Sequence, residues 1–232
     1  MYIYGLVKST LLDYPGHLAA TVFTGGCNFR CPFCHNRDLI TLDRATPSLS
    51  EDDVLDFLKS RRTLLDGVCI TGGEPTLISD LDTFLYKIKE LGLMIKLDTN
   101  GYEPMRLYSL LQQDLLDAVA MDIKHVPDKY HIAAGLTHVQ TEKIQESISI
   151  ILHSKADKEF RTTAVRELHH IEDFSTMAAM LIGADKYFIQ NFQNSEQVLT
   201  PGLHGFTENE LQDIITSARI ILPSTYLRGA FF

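Results

Sequence analysis

No apolar run in these 232 residues approaches the roughly 20 that a helix needs to cross a bilayer. The opening stretch, MYIYGLVKSTLLDYPG, lacks the basic-then-apolar layout of a secretory leader, so a cytoplasmic protein is expected. Nor do lysine and arginine cluster anywhere. With a net charge of −9, nucleic acid and anionic membranes are poor partners. Tryptophan is missing, and nothing follows from that. Cysteine is scarce: four in a cytoplasmic chain of this length argue against a disulfide framework and for metal or redox chemistry. Linkers and low-complexity stretches are absent too, so one domain over residues 1–232 is expected. The remainder is ordinary for a globular protein with a sizeable core, 45% hydrophobic and 22% charged.

Short apolar runs alternate with helix-like runs at a spacing of roughly 25–35 residues, the rhythm of βα units. The expected strands are Leu18–Phe23, Gly67–Thr71, Leu93–Leu97, Ala118–Asp122, Glu159–Val165 and Lys186–Gln190. They are mostly apolar, as in a parallel sheet covered on both faces. Between them, Leu81, Phe84, Leu85, Ile88 and Leu91 form one helical stripe that Gly92 ends. Ser48 with Glu51, and Thr207 with Glu210, have capping-box spacing. Leu211, Ile214, Ile215 and Ala218 repeat the stripe after the second box, and further helices are expected over Thr141–His153 and Asp173–Ile182.

The motifs GGCNFRC, TGGEPT, DTNGY, MDIKH and RTTAV all fall at C-terminal strand ends. Chemistry gathered on that rim is the habit of an α/β barrel, although a doubly wound sheet also binds ligands at its strand ends. Since each of the first five strands contributes a motif, the expected fold is α/β: an incomplete, TIM-like (βα)6 barrel of parallel strands. Its core runs roughly over residues 17–192, with the N-terminal stretch and Leu222–Phe232 outside the repeat.

Cys27, Cys31 and Cys34 lie in GGCNFRCPFCHN, directly after the apolar segment LAATVF. Three thiolates from one short loop can hold three corners of a [4Fe–4S] cube and leave the fourth iron without a protein ligand. Such clusters normally have four cysteines, so an open corner suits a reactant. The competing reading is structural zinc with His17 or His35 as fourth ligand, but structural zinc usually uses separated pairs of ligands. Cys69, inside the apolar strand GVCIT, reads as a small buried hydrophobe.

Gly72 and Gly73 permit close backbone approach and leave an edge for an extended ligand, with Glu74 placed to accept from a ligand ammonium. A plain tight turn into a helix is the alternative. Asp98-Thr99-Asn100-Gly101 is a good turn in its own right. Arg161, a charge within an apolar run, needs a partner; a cofactor carboxylate or an ordinary salt bridge would each serve. Gln190 and Phe192 end the sixth strand on the ligand side. His125, His169 and His170 read as loop or surface histidines rather than ligands, and Asp13, Pro15 and Gly16 as a Pro-Gly turn.

Taken together, CxxxCxxC after a first strand and GGEP after a second resemble the radical S-adenosylmethionine superfamily, over roughly Leu11 to Phe192. The stretch DYPG…TGGCNFRCPFCHN is similar to the activating enzymes of glycyl-radical enzymes. Those of anaerobic ribonucleoside-triphosphate reductase are nearest, then those of pyruvate formate-lyase. The resemblance implies that Cys27, Cys31 and Cys34 hold a [4Fe–4S] cluster whose open iron chelates S-adenosylmethionine. Phe33 would lie near the adenine, and Gly72, Gly73 and Glu74 along the methionyl group. It further implies a monovalent cation near Asp98, Thr99 and Asp122, Asn100 near the ribose, and Lys124 and Arg161 at the cofactor. Asp13, Pro15 and Gly16 would approach the barrel mouth, near the target peptide.

What the resemblance implies for activity is reductive cleavage of S-adenosylmethionine to a 5′-deoxyadenosyl radical. That radical would abstract hydrogen from a glycine of a partner glycyl-radical enzyme, with flavodoxin or ferredoxin as electron donor. Only Cys69 is spare, so there is no ferredoxin-like insert with further clusters. Pyruvate formate-lyase, another peptide or a small molecule are the alternative substrates. A non-enzymatic iron–sulfur or zinc protein is the reading from another class.

Overall fold

The computed structural model describes residue 1 and residues 3–40 and 49–229. Its centre is an eight-stranded sheet whose strands lie side by side in chain order. Seven run parallel: β2 (Ala19–Thr24), β3 (Gly67–Gly72), β4 (Met94–Thr99), β5 (Ala118–Asp122), β6 (Asp157–Ala164), β7 (Tyr187–Asn191) and β8 (Thr225–Arg228). β1 (Ile3–Thr10) runs antiparallel to β2 along the outer edge. A chain-ordered parallel sheet joined by helices is the curvature of an α/β barrel left open between its end strands.

All six expected strands are present, within one or two residues of their expected bounds. The correction concerns the two ends. The N-terminal stretch is a sheet strand, and the C-terminal segment supplies β8, paired with β7 from Tyr187↔Thr225 to Gln190↔Arg228. Both had too little apolar alternation to read as strands; β8 has four residues and β1 carries three exposed ones.

The helices are α1 (Arg37–Ile40), α2 (Glu51–Arg61), α3 (Leu81–Glu90), α4 (Pro104–Gln112), α5 (Tyr130–Ala134), α6 (Thr141–Leu152), α7 (Ile171–Met180) and α8 (Glu208–Ile221). α3 buries Leu81, Phe84, Leu85 and Ile88 as its stripe requires, each contributing roughly 1.5–3 kcal/mol relative to exposure. Its chain reverses at Gly92, φ +79°. The Thr207–Glu210 box caps α8 reciprocally: Thr207 N donates to Glu210 Oε2 at 2.8 Å and Glu210 N to Thr207 Oγ1 at 3.4 Å. Ser48 lies outside the described residues. The cap of α2 is Ser50, whose hydroxyl accepts from Asp53 N at 3.0 Å. α7 begins two residues before its expected start because Asp173 Oδ2 accepts from His170 N at 2.8 Å.

Strand alternation sends two different populations to the two faces. Outward residues such as Val22, Val68, Ile70, Ile95, Leu97, Val119 and Phe160 are buried under helices. The inner face is polar: Cys69 pairs in register with Lys96, Asp98 with Ala120, Ala120 with Glu159, and Asp122 with Arg161. The lumen is therefore lined with charge, and that charge leads up to the rim.

Candidate active site

A cavity of about 270 Å³ opens at the C-terminal ends of the strands. Its walls include Cys27, Cys31, Phe33 and Cys34 from the loop after β2, and Gly72, Gly73 and Glu74 after β3. Asp98, Thr99 and Asn100 come from the end of β4, Asp122 and Lys124 from β5, and Arg161 from β6. Every residue expected to hold the cluster or contact S-adenosylmethionine lines this one space.

The cysteine loop is fixed from several directions. Gly73 N donates to Thr24 O at 2.9 Å and Glu74 N to Gly26 O at 2.7 Å. A Cβ on Gly73 would lie 2.1 Å from Gly26 O, and one on Gly72 (φ +115°) 2.3 Å from Thr24 O. The two glycines are thus required by contact with the cysteine loop. The N–H groups of Gly73 and Glu74 are both taken up by the cysteine loop. From the far side, Arg30 N donates to Ala134 O at 2.8 Å, Leu199 N to Cys34 O at 3.1 Å and Thr200 N to Pro32 O at 2.9 Å. His35 Nε2 lies 2.8 Å from Gln193 O. The sequence reading missed Ala134, Gln193, Leu199 and Thr200, which act through backbone atoms that carry no residue-type signal.

Burial pushes the free Cys31 thiol up to about 12 and raises Cys27 and Cys34 as well. Ligation by iron removes such protons outright. Cys27 Sγ also receives Phe29 N at 3.4 Å and Asn100 Nδ2 at 3.9 Å, donors of the kind that stabilise metal-bound sulfur. Three thiols on one cavity wall with amide donors behind them fit a cluster held at three corners. His17 lies away from them, against Tyr14, so it is no fourth ligand. Cys69 is fully buried in β3, as expected.

Glu74 lines the cavity and is also held from within the protein. It is 1% exposed, and its carboxylate is occupied inside the protein. Oε1 accepts from Thr76 N at 3.1 Å, from the Thr76 hydroxyl and from Thr99 Oγ1 at 2.7 Å; Oε2 accepts from Asn100 N at 2.6 Å. Glu74 therefore ties the β3 loop to the β4 loop. Burial raises its pKa despite those donors. Thr99 faces Glu74, and Asn100 bridges the loops, donating to Asn28 Oδ1 at 2.7 Å while its Oδ1 accepts from Tyr102 N at 2.9 Å.

Below the cysteines runs an ion-pair ladder. Lys96 Nζ binds Asp98 Oδ1; Arg161 Nη1 binds Asp98 Oδ2 at 3.0 Å; Arg161 Nε binds Asp122 Oδ1 at 3.0 Å; Lys124 Nζ binds Asp122 Oδ2 at 2.9 Å. Burial alone would push both carboxyls up. Arg161 and Lys96 hold Asp98 below the usual range, and Lys124 and Arg161 hold Asp122 well below it. Burial would lower Lys124, but Asp122 keeps it raised. Arg161 thus finds its partners within the chain. Lys124 Nζ also stands 5.6 Å from the Phe33 ring centroid, within cation–π reach.

Gln190 lines the cavity and donates to Thr163 Oγ1 at 3.0 Å, whereas Phe192 packs against His35 outside it. Asp13, Pro15 and Gly16 are not at the mouth. Asp13 accepts from Thr21 Oγ1 at 2.6 Å, and Pro15 joins Tyr14, Ala118 and Asp157 around a second cavity where β5 and β6 begin. The reason is the antiparallel run of β1, which delivers this turn to the N-terminal end of the parallel strands. His125 and His169 are core rather than surface residues. Their rings stack at 4.7 Å, and His169 Nε2 lies 2.9 Å from Lys124 O. His170 is exposed.

Residues 21–168 match the family model described as the radical SAM superfamily. A protein of Methanocaldococcus jannaschii, provisionally named a glycyl-radical enzyme activating enzyme, is 33% identical over 82% of this chain and 79% of its own length. The pyruvate formate-lyase-activating enzyme of Streptococcus mutans is 35% identical over 56% of this chain, which spans about half of that relative (55%). Among solved structures, a radical SAM methyltransferase from Sphaerobacter thermophilus superposes with a TM-score of 0.73 at 14% identity, covering 93% of this chain and 67% of that one. Streptococcus suis SuiB bound to S-adenosylmethionine gives 0.70 at 15% identity, over 89% of this chain and 49% of that one. At such identities the structural likeness speaks for the fold alone. The chain belongs to the radical S-adenosylmethionine superfamily, within its glycyl-radical enzyme activating enzymes. As in that family, it is an enzyme whose chemistry rests on a [4Fe–4S] cluster and S-adenosylmethionine. Among the described residues, no helix is long and apolar enough to cross a membrane.

Proposed function

We propose that this protein activates a glycyl-radical enzyme, with anaerobic ribonucleoside-triphosphate reductase as the first partner to test. The supporting observation is the meeting, in one cavity, of the Cys27–Cys31–Cys34 loop with the Asp98–Arg161–Asp122–Lys124 ladder. When bound, the reduced cluster and S-adenosylmethionine supply a carbon radical able to take hydrogen from a glycine Cα. The rest is positioning, the protein's ordinary contribution to cofactor chemistry.

In this reading Cys27, Cys31 and Cys34 hold the cluster and Phe33 flanks the adenine. The cationic Lys124 and Arg161 face the methionyl carboxylate. Gly72 and Gly73 shape the cavity wall, while Glu74, Thr99 and Asn100 keep the β3 and β4 loops in register. A reduced flavodoxin or ferredoxin supplies the electron, and the whole chain works as one partial-barrel domain in the cytoplasm. A glycine loop, having no side chain, enters a cavity of this size where a bulkier segment would not.

Pyruvate formate-lyase is the second partner, favoured by the 35% identity to an activating enzyme of that name. The test is anaerobic reconstitution followed by dithionite and S-adenosylmethionine, with each candidate partner added separately. Release of 5′-deoxyadenosine and a glycyl-radical EPR doublet in one partner are expected. 5′-Deoxyadenosine without a doublet in either partner would redirect the reading to another peptide or a small molecule. No 5′-deoxyadenosine from a protein with fully loaded iron and sulfide would leave only a non-enzymatic iron–sulfur protein.

A further inference from the structure

We infer that Lys96 is a built-in cation of the cofactor site, a tethered ammonium doing for Asp98 what a bound alkali-metal ion would otherwise do. The inference rests on the proposed cofactor site. It replaces the monovalent cation that the family resemblance implies near Asp98 and Asp122.

The argument begins with coordination. Each of the four oxygens of Asp98 and Asp122 has a nitrogen of this chain as partner: Lys96 and Arg161 on Asp98, Arg161 and Lys124 on Asp122. The Lys96 side chain is 4% exposed, reaches up the lumen from β4, and has Cys69 Sγ 4.0 Å away as its other neighbour. A lysine so enclosed is stable as an ammonium only beside a carboxylate, and Asp98 is that carboxylate. Thr99, the hydroxyl expected to help bind a metal ion, instead donates to Glu74.

Charge completes the case. Glu159 lies under the ladder, 3.8 Å from Arg161 and paired with both terminal nitrogens of Arg228. The lumen thus holds Lys96, Lys124, Arg161 and Arg228 against Asp98, Asp122 and Glu159. An added metal ion would have to displace Lys96 from Asp98 and would raise the charge further. Lys96 is accordingly a positioning residue: it holds Asp98, Asp98 orients Arg161, and Arg161 faces the ligand.

The experiment uses the anaerobically reconstituted protein in sodium, potassium and choline chloride at equal ionic strength. Wild-type affinity for S-adenosylmethionine, by equilibrium dialysis, should differ less than about twofold between salts. Its melting temperature should ignore the choice of cation. Lys96→Ala, which opens room for an ion, should lose about tenfold or more in choline and recover most of it in sodium or potassium. Its melting temperature should climb with alkali-metal concentration, a readout needing no cofactor turnover. Lys96→Met, which keeps bulk but not charge, should lose affinity in every salt.

Wild-type affinity or melting temperature that rises several-fold or by several degrees with alkali metal would overturn the inference. So would Lys96→Ala behaving as wild type, or failing to respond to either metal ion. Should Lys96→Ala not fold, the wild-type series and Lys96→Met decide. Failure of the proposed function looks different: the wild type then binds no S-adenosylmethionine in any salt, while the melting series still reports on Lys96.

Discussion

Thr99 Oγ1 donates to Glu74 Oε1 at 2.7 Å across two loops that follow different strands. With Asn100 N on the other oxygen at 2.6 Å, a carboxylate that looked like a ligand contact becomes the clasp between the GGEP and DTNG segments. Glu74→Gln replaces one accepting oxygen with a donor that must face another donor. Because an unsatisfied buried group costs about 1–3 kcal/mol, and more when a charge was involved, a loss of roughly 3 kcal/mol is expected in urea unfolding of the apoprotein. Unchanged stability would show that these hydrogen bonds contribute little.

The four cysteines should separate cleanly. Alanine at Cys27, Cys31 or Cys34 is expected to abolish S-adenosylmethionine cleavage and reduce iron and sulfide content. Cys69→Ala should keep both and lose about 1 kcal/mol of stability from a small internal void. Iron analysis and 5′-deoxyadenosine formation check this pair of outcomes.

Arg161 bridges two carboxylates through two different nitrogens, a geometry that one ammonium cannot reproduce. Arg161→Lys should therefore weaken S-adenosylmethionine binding about tenfold or more even though the charge is unchanged. Arg161→Gln should be worse, because Asp98 and Asp122 then each lose a charged donor in a buried site. Calorimetric titration of the two variants gives the comparison directly.

Acid should act first through histidine. Burial pushes His169 down to about 4, and its geometry explains why it stays neutral. Nδ1 accepts from Val165 N at 3.1 Å, so the ring proton lies on Nε2, facing Lys124 O. An unfolded histidine titrates near 6.5. The folded value is lower, so this contribution is complete above about pH 6.5 and fades as pH falls toward about 4, by roughly 3 kcal/mol in all. His125, also lowered chiefly by burial, acts in the same direction. Asp98 and Asp122 are depressed below the ordinary carboxylate range, so their contribution is lost only at still lower pH. Melting temperature against pH should fall through this window, less steeply in His169→Gln.

Much of the architecture could be read from residue order. A buried parallel strand must be apolar, and a helix lying on it must repeat its apolar residues at helical spacing. The stripe from Leu81 to Ile88 and the runs GVCIT and AVAMD therefore announced themselves. β1, β8 and α4 did not. The first two are half-exposed edges, and α4 announces itself only through Pro104 at its first position and the buried Leu107 and Leu110. One signal was available and passed over: Lys96 and Asp98 are charges two residues apart inside an otherwise apolar strand. That spacing sends both members to one face, and charges so placed need each other.

The cysteine spacing and the rim motifs identify the chemistry without any coordinates, because ligand type and loop length are properties of the chain itself. Which polar atoms remain free is not such a property. Glu74 meets Asn100 across 26 positions and Arg161 meets Asp98 across 63, so whether either is free depends on strand register. Only folding brings those partners within hydrogen-bonding reach, and there the cost of leaving a buried charge unpaired makes Glu74 a clasp, Arg161 a bridge and Lys96 an internal cation.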